Sequence, residues 1–224
     1  MTATEILDDL KALATEETRA GMKRFGIPNA NALGVTMRDM KGYAKRHGRD
    51  HVLAAALWKT GVYEARTVAA LIADPGAMSS QDMDQWAKDF DSWAICDTVC
   101  MHLFDRTAHA WRKVRAWTPH DQEFVRRAGY ALIWALSVHD KKASDDSFVM
   151  ALEIIKSTPA DDRPLVKKAV DMALRAVGKR NRTLNENAIA TANVMAGSDA
   201  RSISWIGRHA LKELKSHKVQ SRLT

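Results

Sequence analysis

The sequence predicts an all-α protein made of stacked helix pairs, and three observations carry this prediction. Apolar residues recur with a period of about 3.6 residues from end to end, as on one face of an α-helix. No segment alternates with period two, as a half-buried strand would. All five prolines lie between the periodic segments or at their starts. We therefore expect about a dozen helices and no sheet.

The first half opens on amphipathic helices. The segment "TEILDDLKALATE" is expected to bury one helical face, which consists of Ile6, Leu7, Leu10 and Leu13. The segment "VYEARTVAALIA" has the same spacing and is expected to bury Val62, Ala65, Val68, Ala69 and Ile72. In the second of these helices, Glu64 is expected to pair with Arg66 or Arg38. The stretch "ADPGAMSSQD" that follows is the clearest loop, because it clusters turn-forming residues.

In the second half, two proline motifs predict helix starts. In "TPHD", Thr118 is a possible N-cap with Pro119 at the first helical position. In "DRPL", Pro164 repeats the arrangement with Asp162 near the start. The helices that follow these motifs are long and largely apolar.

Three helical segments echo one another. "FVRRAGYALIWAL", "LVKKAVDMALRAV" and "SWIGRHALKEL" share an apolar start, a basic residue, a small residue and then helical spacing. Their basic residues Arg127, Lys168 and Arg208 are 41 and 40 residues apart, the length of a two-helix HEAT-type repeat. The sequence thus predicts a superhelical array of HEAT-like antiparallel helix pairs, as one domain over residues 1–224. The alternative is that any amphipathic helix resembles any other.

Charge is distributed unevenly along the chain. Residues 1–105 hold 12 Lys and Arg against 15 Asp and Glu, whereas residues 106–224 hold 22 against 12. A basic half suggests a polyanionic partner, although a solvated lysine-rich surface gives the same count. The apolar runs are too short to span a membrane and the N-terminus is acidic, so we expect a cytoplasmic protein without membrane contact.

The two cysteines, Cys96 and Cys100, are one helical turn apart, which is a poor geometry for a disulfide. They are expected to be reduced core thiols. His102 lies nearby, but no second Cys/His cluster completes a zinc site, so we expect no metal and no cofactor.

Asp97 is unusual, because it interrupts the apolar run "FDSWAICDTVCMHLF". An uncompensated carboxylate among apolar side chains is costly, so it needs a basic partner, hydrogen bonds or an open cleft. A structural ion pair and a functional acid both satisfy this requirement. Five residues share its predicted helical face: Trp93, Asp97, Cys100, Met101 and Phe104.

The segments "SWAICDTVC", "FVRRAGYALIWAL" and "LVKKAVDMALRAVGKRN" resemble the AlkD-type DNA alkylation repair proteins, which are alkylpurine DNA glycosylases built from HEAT-like repeats. The resemblance implies that Asp97 is the catalytic carboxylate, Trp93 its neighbouring tryptophan and Arg127 the catalytic-site arginine. Many members of the family place a further tryptophan where this sequence has Met172. Trp134 lies on the face of Arg127 and either substitutes for that tryptophan or packs in the core.

The resemblance implies a monofunctional N-glycosylase that acts as a monomer on double-stranded DNA carrying alkylated bases. It needs no lysine nucleophile, so no strand cleavage is expected. The basic second half is expected to bind phosphates. The predicted DNA-binding residues, besides Met172, are Lys167, Lys168, Arg175, Lys179, Arg180, Arg182, Arg208 and Lys212.

Two other functions fit the same pattern. One is a DNA-binding repeat protein without glycosylase activity, in which Met172 accompanies a loss of chemistry. The other is a helical scaffold whose basic wall binds an acidic protein.

Overall fold

The computed structural model describes residues 1–223, and it confirms the all-α prediction for them. This part of the chain forms fourteen α-helices and two short 3-10 helices, and it contains no strand. No helix within it has both the length and the apolar character needed to cross a bilayer. The chain divides into two compact units, which we call unit 1 (Met1–His109) and unit 2 (from Ala110 onward). The single domain over residues 1–224 stays a prediction.

Unit 1 is built around a row of three helices, α3, α5 and α7, with α5 in the middle and α4 packed against it. A 3-10 helix, Met22–Phe25, follows α2, and another, Phe104–Arg106, follows α7. The α-helices are α1 Ala3–Ala12, α2 Glu16–Gly21, α3 Met37–His47, α4 His51–Lys59, α5 Tyr63–Ile72, α6 Ser80–Lys88 and α7 Trp93–His102.

Side-chain caps fix where most helices of unit 1 begin. In each case a side-chain oxygen of the residue that precedes the helix accepts a hydrogen bond from the backbone N–H three residues later. This bond satisfies an N–H group that has no partner within the helix. These capping residues are Thr2, Thr15, Thr36, Asp50, Ser79 and Ser92.

Glu64 is fully buried in unit 1, and its carboxylate holds a loop. It accepts the backbone N–H groups of Leu33 at 2.8 Å, Gly34 at 2.8 Å and Val35 at 3.2 Å. The predicted ion pair with an arginine is therefore wrong. Three N–H donors compensate the buried charge instead, which a sequence pattern does not reveal because the loop lies about 30 residues away.

Unit 2 repeats one arrangement three times. Helices α9, α11 and α13 pack side by side with α11 in the middle, and each pairs with the helix before it. The three echo segments of the sequence fall on these helices, so the repeat is confirmed within unit 2. The helices are α8 Ala110–Trp117, α9 Glu123–His139, α10 Asp145–Lys156, α11 Pro164–Val177, α12 Arg182–Ala196, α13 Arg201–Leu214 and α14 His217–Gln220.

The start of α9 differs from its prediction, whereas that of α11 agrees. Pro164 is the first residue of α11 as predicted. Thr118 instead closes the end of α8, because its Oγ1 donates to the carbonyl of Val114 at 2.9 Å. Gly129 of α9 lies against Thr118, and a Cβ there would come within 2.6 Å of the Thr118 nitrogen. The close approach of the two helices therefore requires glycine at that position.

Candidate functional site

Helix α7 places Asp97 at the border between core and solvent. Ile95, Cys96, Val99 and Cys100 are buried on one side of the helix. Asp97 is half-buried, as are Trp93 and Met101 one turn to either side. The predicted face is thus divided, because Cys100 and Phe104 belong wholly to the core. The carboxylate reaches the surface of unit 1 beside a tryptophan and a methionine.

Trp93 is fixed by a contact across unit 1. Its indole Nε1 donates a hydrogen bond of 2.9 Å to the backbone carbonyl of Phe25, which ends the first 3-10 helix. Trp93 is also the first residue of α7, after the Ser92 cap. The ring next to Asp97 is therefore held in place by a segment 68 residues earlier in the chain.

The thiols behind Asp97 are not reactive. Both cysteines are fully buried thiols that form no disulfide within residues 1–223, as predicted. Burial raises the pKa of the Cys100 thiol, and the neighbouring Cys96 and the Asp97 carboxylate raise it further. Because the thiolate is the reactive form of cysteine, Cys100 stays protonated and inert at neutral pH.

In unit 2, the adjacent arginines Arg126 and Arg127 at the start of α9 are both buried. Arg126 forms an ion pair with Asp161 at 2.8 Å and donates to the carbonyl of His120 at 2.7 Å. Arg127 is 5% exposed, and its Nη1 donates to the carbonyl of Leu165 at 2.6 Å. Oxygen acceptors thus compensate the buried charge of Arg126, and the Leu165 carbonyl contributes to compensating that of Arg127.

Three of the predicted DNA-binding cations are exposed to solvent on unit 2 and are unpaired within the described residues. Lys168 on α11 and Arg208 and Lys212 on α13 are exposed. None of them makes an ion pair or a side-chain hydrogen bond within residues 1–223. Met172, one turn after Lys168, is half-buried, and so is Trp134 on α9.

Arg175 and Lys179 of α11 are bound to acidic side chains. Arg175 contacts Asp171 at 2.9 Å and also Glu213 of α13, and Lys179 contacts Glu213 at 2.8 Å. Burial alone would lower the pKa of Arg175, but the two carboxylates outweigh burial and raise it. These ion pairs tie α11 to α13.

Arg180 and Arg182 bind backbone carbonyls. Arg180 donates to the carbonyls of Ser137 at 2.7 Å and Asp140 at 3.1 Å, and its guanidinium lies 3.8 Å from the centre of the Phe148 ring. Burial lowers the pKa of Arg180. Arg182 is exposed and donates to the carbonyl of Leu223 at 3.3 Å.

An aromatic cluster between α11 and α13 was not predicted. Trp205 stacks on His209 with ring centres 4.9 Å apart, and Lys167 lies 4.8 Å from the centre of the Trp205 ring. The buried Asp171 hydrogen-bonds to His209 Nδ1 at 2.9 Å. The sequence feature that could have predicted this cluster is the four-residue spacing of Trp205 and His209, which places both rings on one helical face.

Within residues 1–223, no group of three or more His, Cys, Asp or Glu side chains is arranged to hold a metal ion. The chemistry available at Asp97 is that of a single carboxylate beside an aromatic ring. Such a group stabilises a developing positive charge or orients a water molecule.

Comparison with known proteins identifies the fold and the family. A solved structure superimposes with a TM-score of 0.81 and 24% identity, covering 100% of this chain and 96% of that one. It is described as a new family of proteins related to the HEAT-like repeat DNA glycosylases, with affinity for branched DNA structures. At this identity the likeness shows the HEAT-like repeat fold. Among curated proteins, none matches the chain significantly. The family model described as DNA alkylation repair enzyme matches residues 6–214, nearly the whole sequence, and the chain therefore belongs to the DNA alkylation repair enzyme family.

Proposed function

We propose that this protein is a monofunctional DNA N-glycosylase that releases cationic alkylated purines, N7-alkylguanine and N3-alkyladenine, from duplex DNA. Membership of the DNA alkylation repair enzyme family supports the reaction class. The observation that carries the proposal is the half-buried carboxylate of Asp97 on an otherwise apolar helix, beside a fixed tryptophan.

A single acid is enough for this reaction. Hydrolysis of an ordinary glycoside uses two carboxylates, one of which protonates the leaving group. An alkylated purine already carries a positive charge, so the bond from sugar C1′ to the purine nitrogen breaks and its electron pair leaves with a neutral base. A water oxygen then bonds to C1′ and gives its proton to Asp97 or to solvent. The products are a free base and an abasic site.

The surroundings of Asp97 favour its role as the stabilising charge. The apolar side chains of α7 lie behind it, so its field toward a bound sugar is weakened less than it would be in water. One such preorganised contact contributes about 3 kcal/mol, or about a hundredfold in rate. That is a useful share of catalysis for a bond that alkylation has already weakened.

The other site residues have supporting roles in this proposal. Trp93 walls the sugar beside Asp97, since the Phe25 carbonyl holds its ring. Arg127 binds the Leu165 carbonyl near the start of α11, and so positions the helix that carries Lys168 and Met172. Met172 offers an apolar contact where other members of the family have tryptophan.

Unit 2 supplies affinity for the DNA backbone. Lys168, Arg208 and Lys212 are exposed and have no acidic partner among residues 1–223, so we assign the principal phosphate contacts to them. Such contacts do not depend on base sequence and weaken steeply as salt rises. The paired cations Arg175 and Lys179 contribute less, because DNA must compete with Asp171 and Glu213 for them.

Release of free base from methylated duplex DNA tests the proposal. Purified protein is incubated with the DNA, and 7-methylguanine and 3-methyladenine are measured by chromatography. We expect release by the natural protein and about a hundredfold slower release by Asp97→Asn. Asp91→Asn is the matched control, because Asp91 is exposed and pairs with Arg66 at 3.5 Å two residues before Trp93. Undiminished release by Asp97→Asn would rule out this role for the carboxylate.

A second candidate function is the binding of branched DNA without base release. It is favoured by the structural neighbour, which is described as having affinity for branched DNA structures. This function predicts that a four-way junction displaces a linear duplex of the same length from the protein. It also predicts that methylated DNA remains intact. Both measurements use the protein preparation of the release assay.

A further inference from the structure

Phe25 is an exposed aromatic ring at the end of a short helix. It is 69% exposed, and it is the only aromatic among the large apolar side chains that residues 1–223 leave open to solvent. It ends the 3-10 helix Met22–Phe25, and Gly26 follows with φ 66°. A Cβ on Gly26 would meet nothing within 4 Å, so the chain turns in open space there. The ring is available to a partner.

This segment is connected directly to the candidate site within unit 1. The carbonyl of Phe25 accepts the Trp93 indole N–H at 2.9 Å, and Trp93 precedes Asp97 by one helical turn. The ring of Phe25 and the carboxylate of Asp97 thus belong to elements that one hydrogen bond holds in register. The segment that carries Phe25 is therefore a direct neighbour of Trp93 in the candidate site.

The charges around Phe25 suit a nucleic acid. Lys23 and Arg24 come directly before it, are exposed, and form no ion pair within the described residues. Of the two acids that begin α2, Glu16 already contacts Arg19 at 3.5 Å, and Glu17 lines the same cavity of about 460 Å³ as Phe25. Many nucleic-acid-binding proteins place exposed cations beside an aromatic ring. The cations bind the phosphates, and the ring packs against a neighbouring nucleotide.

We propose that Met22–Gly26, which we call the Phe25 tip, is a DNA contact that positions the reacting nucleotide against Asp97. Lys23 and Arg24 bind phosphates, and the Phe25 ring packs on the apolar face of the deoxyribose. The inference rests on the proposed function, since it needs DNA as the partner. Phe25 is a positioning residue and takes no part in bond making or breaking.

Thiol labelling tests the contact directly. Cys96 and Cys100 are fully buried, so a cysteine introduced at the surface is the accessible thiol. Phe25→Cys and Val52→Cys each receive an environment-sensitive dye and are titrated with duplex DNA. Val52 is the matched control, since it is 82% exposed on α4 of the same unit. We expect the dye at position 25 to change its emission with DNA and the dye at position 52 to stay unchanged.

Kinetics test the positioning role. We expect Phe25→Ala to lower kcat/KM for base release about tenfold, the effect of one aromatic contact with a nucleotide. Phe25→Leu should recover most of the loss because it restores apolar area, and Val52→Ala should match the natural protein. The thermal midpoint of all three should be unchanged, since both side chains are exposed.

The outcomes separate this inference from the proposed function. If DNA is bound and base released while the dye at position 25 is silent and Phe25→Ala is fully active, the Phe25 tip is overturned and the glycosylase stands. If the dye responds but no base is released, the DNA contact of the Phe25 tip stands, whereas the glycosylase and the positioning role are overturned together. If the natural protein binds no DNA at all, both are overturned.

Discussion

Among the described residues, the charged side chains buried in unit 1 are all carboxylates, whereas unit 2 buries arginine and lysine side chains as well as the carboxylate of Asp171. Unit 1 buries the carboxylate of Glu64 and surrounds it with three backbone N–H groups. Unit 2 buries the guanidinium groups of Arg126 and Arg127 and surrounds them with carbonyls and the carboxylate of Asp161. The numbers of charged residues differ in the same direction. Residues 1–109 hold 13 Lys and Arg against 15 Asp and Glu, whereas residues 110–224 hold 21 Lys and Arg against 12 Asp and Glu.

A surplus of basic residues therefore does not measure how many cations are available to a ligand. Several arginines of unit 2 hold its helices together, whereas Lys168, Arg208 and Lys212 remain open. Arginine suits the first role because its planar group binds several oxygens at once. DNA affinity should therefore depend on a few exposed residues, and the fold on the buried ones.

The largest effect on stability is expected in unit 1, from Glu64→Gln. An amide keeps one acceptor oxygen and turns an NH2 group toward a backbone donor, so at least one of Leu33, Gly34 and Val35 loses its partner. We expect a loss of about 3 kcal/mol in the free energy of unfolding, measured with urea. Glu153→Gln, at an exposed ion pair with Lys156, should change it by less than about 0.5 kcal/mol. Equal stability of both variants would show that the loop contact carries no energy.

A smaller, pH-dependent effect is expected in unit 2, from Asp161→Asn. Hydrogen bonds from Arg163 and then Arg126 outweigh burial and lower the pKa of Asp161 to about 2. Because this pKa is below the unfolded value of about 3.9, the stabilisation is complete above that value and disappears as pH falls toward 2. We expect Asp161→Asn to cost about 2 kcal/mol at neutral pH, with the difference from the natural protein shrinking below about pH 4.

Thermal unfolding from pH 6 down to pH 3 measures this difference. Asp162→Asn is the control, because Asp162 is the exposed neighbour and makes no ion pair within the described chain. A difference that stays constant over the range would contradict the role of the Asp161 charge.

The smallest effects concern the surface of unit 2. Lys168→Gln should reduce the slope of log affinity against log salt by about one, since it removes one phosphate contact. Lys179→Gln should change the slope less, because Glu213 already binds this ammonium at 2.8 Å. Dissociation constants for duplex DNA at several salt concentrations give both slopes. A larger change in slope for Lys179→Gln than for Lys168→Gln would contradict the assignment of the principal phosphate contacts to the unpaired cations.

Periodicity was enough to predict the helices. The apolar spacing of "TEILDDLKALATE" and "LVKKAVDMALRAV" marks α1 and α11, because local spacing determines which face of a helix is buried. The predicted burial of Leu13 was wrong, since α1 ends at Ala12 and Leu13 is 41% exposed. The helix start at Thr118 was wrong because the same residue types end one helix and begin the next. A hydroxyl bound to the Val114 carbonyl resembles an N-cap in sequence.

The candidate site could be predicted only in part. Asp97 stood out because a carboxylate in an apolar run demands an explanation. The hydrogen bond from Trp93 to Phe25 and the three donors around Glu64 join segments far apart in sequence, and tertiary packing alone creates them. The burial of both Arg126 and Arg127 was missed because its compensation comes from other segments, Asp161 and the Leu165 carbonyl.

We propose that the Asp97 carboxylate performs the chemistry, whereas the exposed cations of unit 2 provide the affinity for DNA. Measuring DNA binding and base release on the same variant separates these two roles. The dissociation constant for a duplex with a single N7-methylguanine and the single-turnover rate of base release are compared for Asp97→Asn and the natural protein. For Asp97→Asn we expect a dissociation constant unchanged within about twofold and a release rate lower by about a hundredfold. An unchanged release rate would contradict this proposal, and so would equal losses of binding and release.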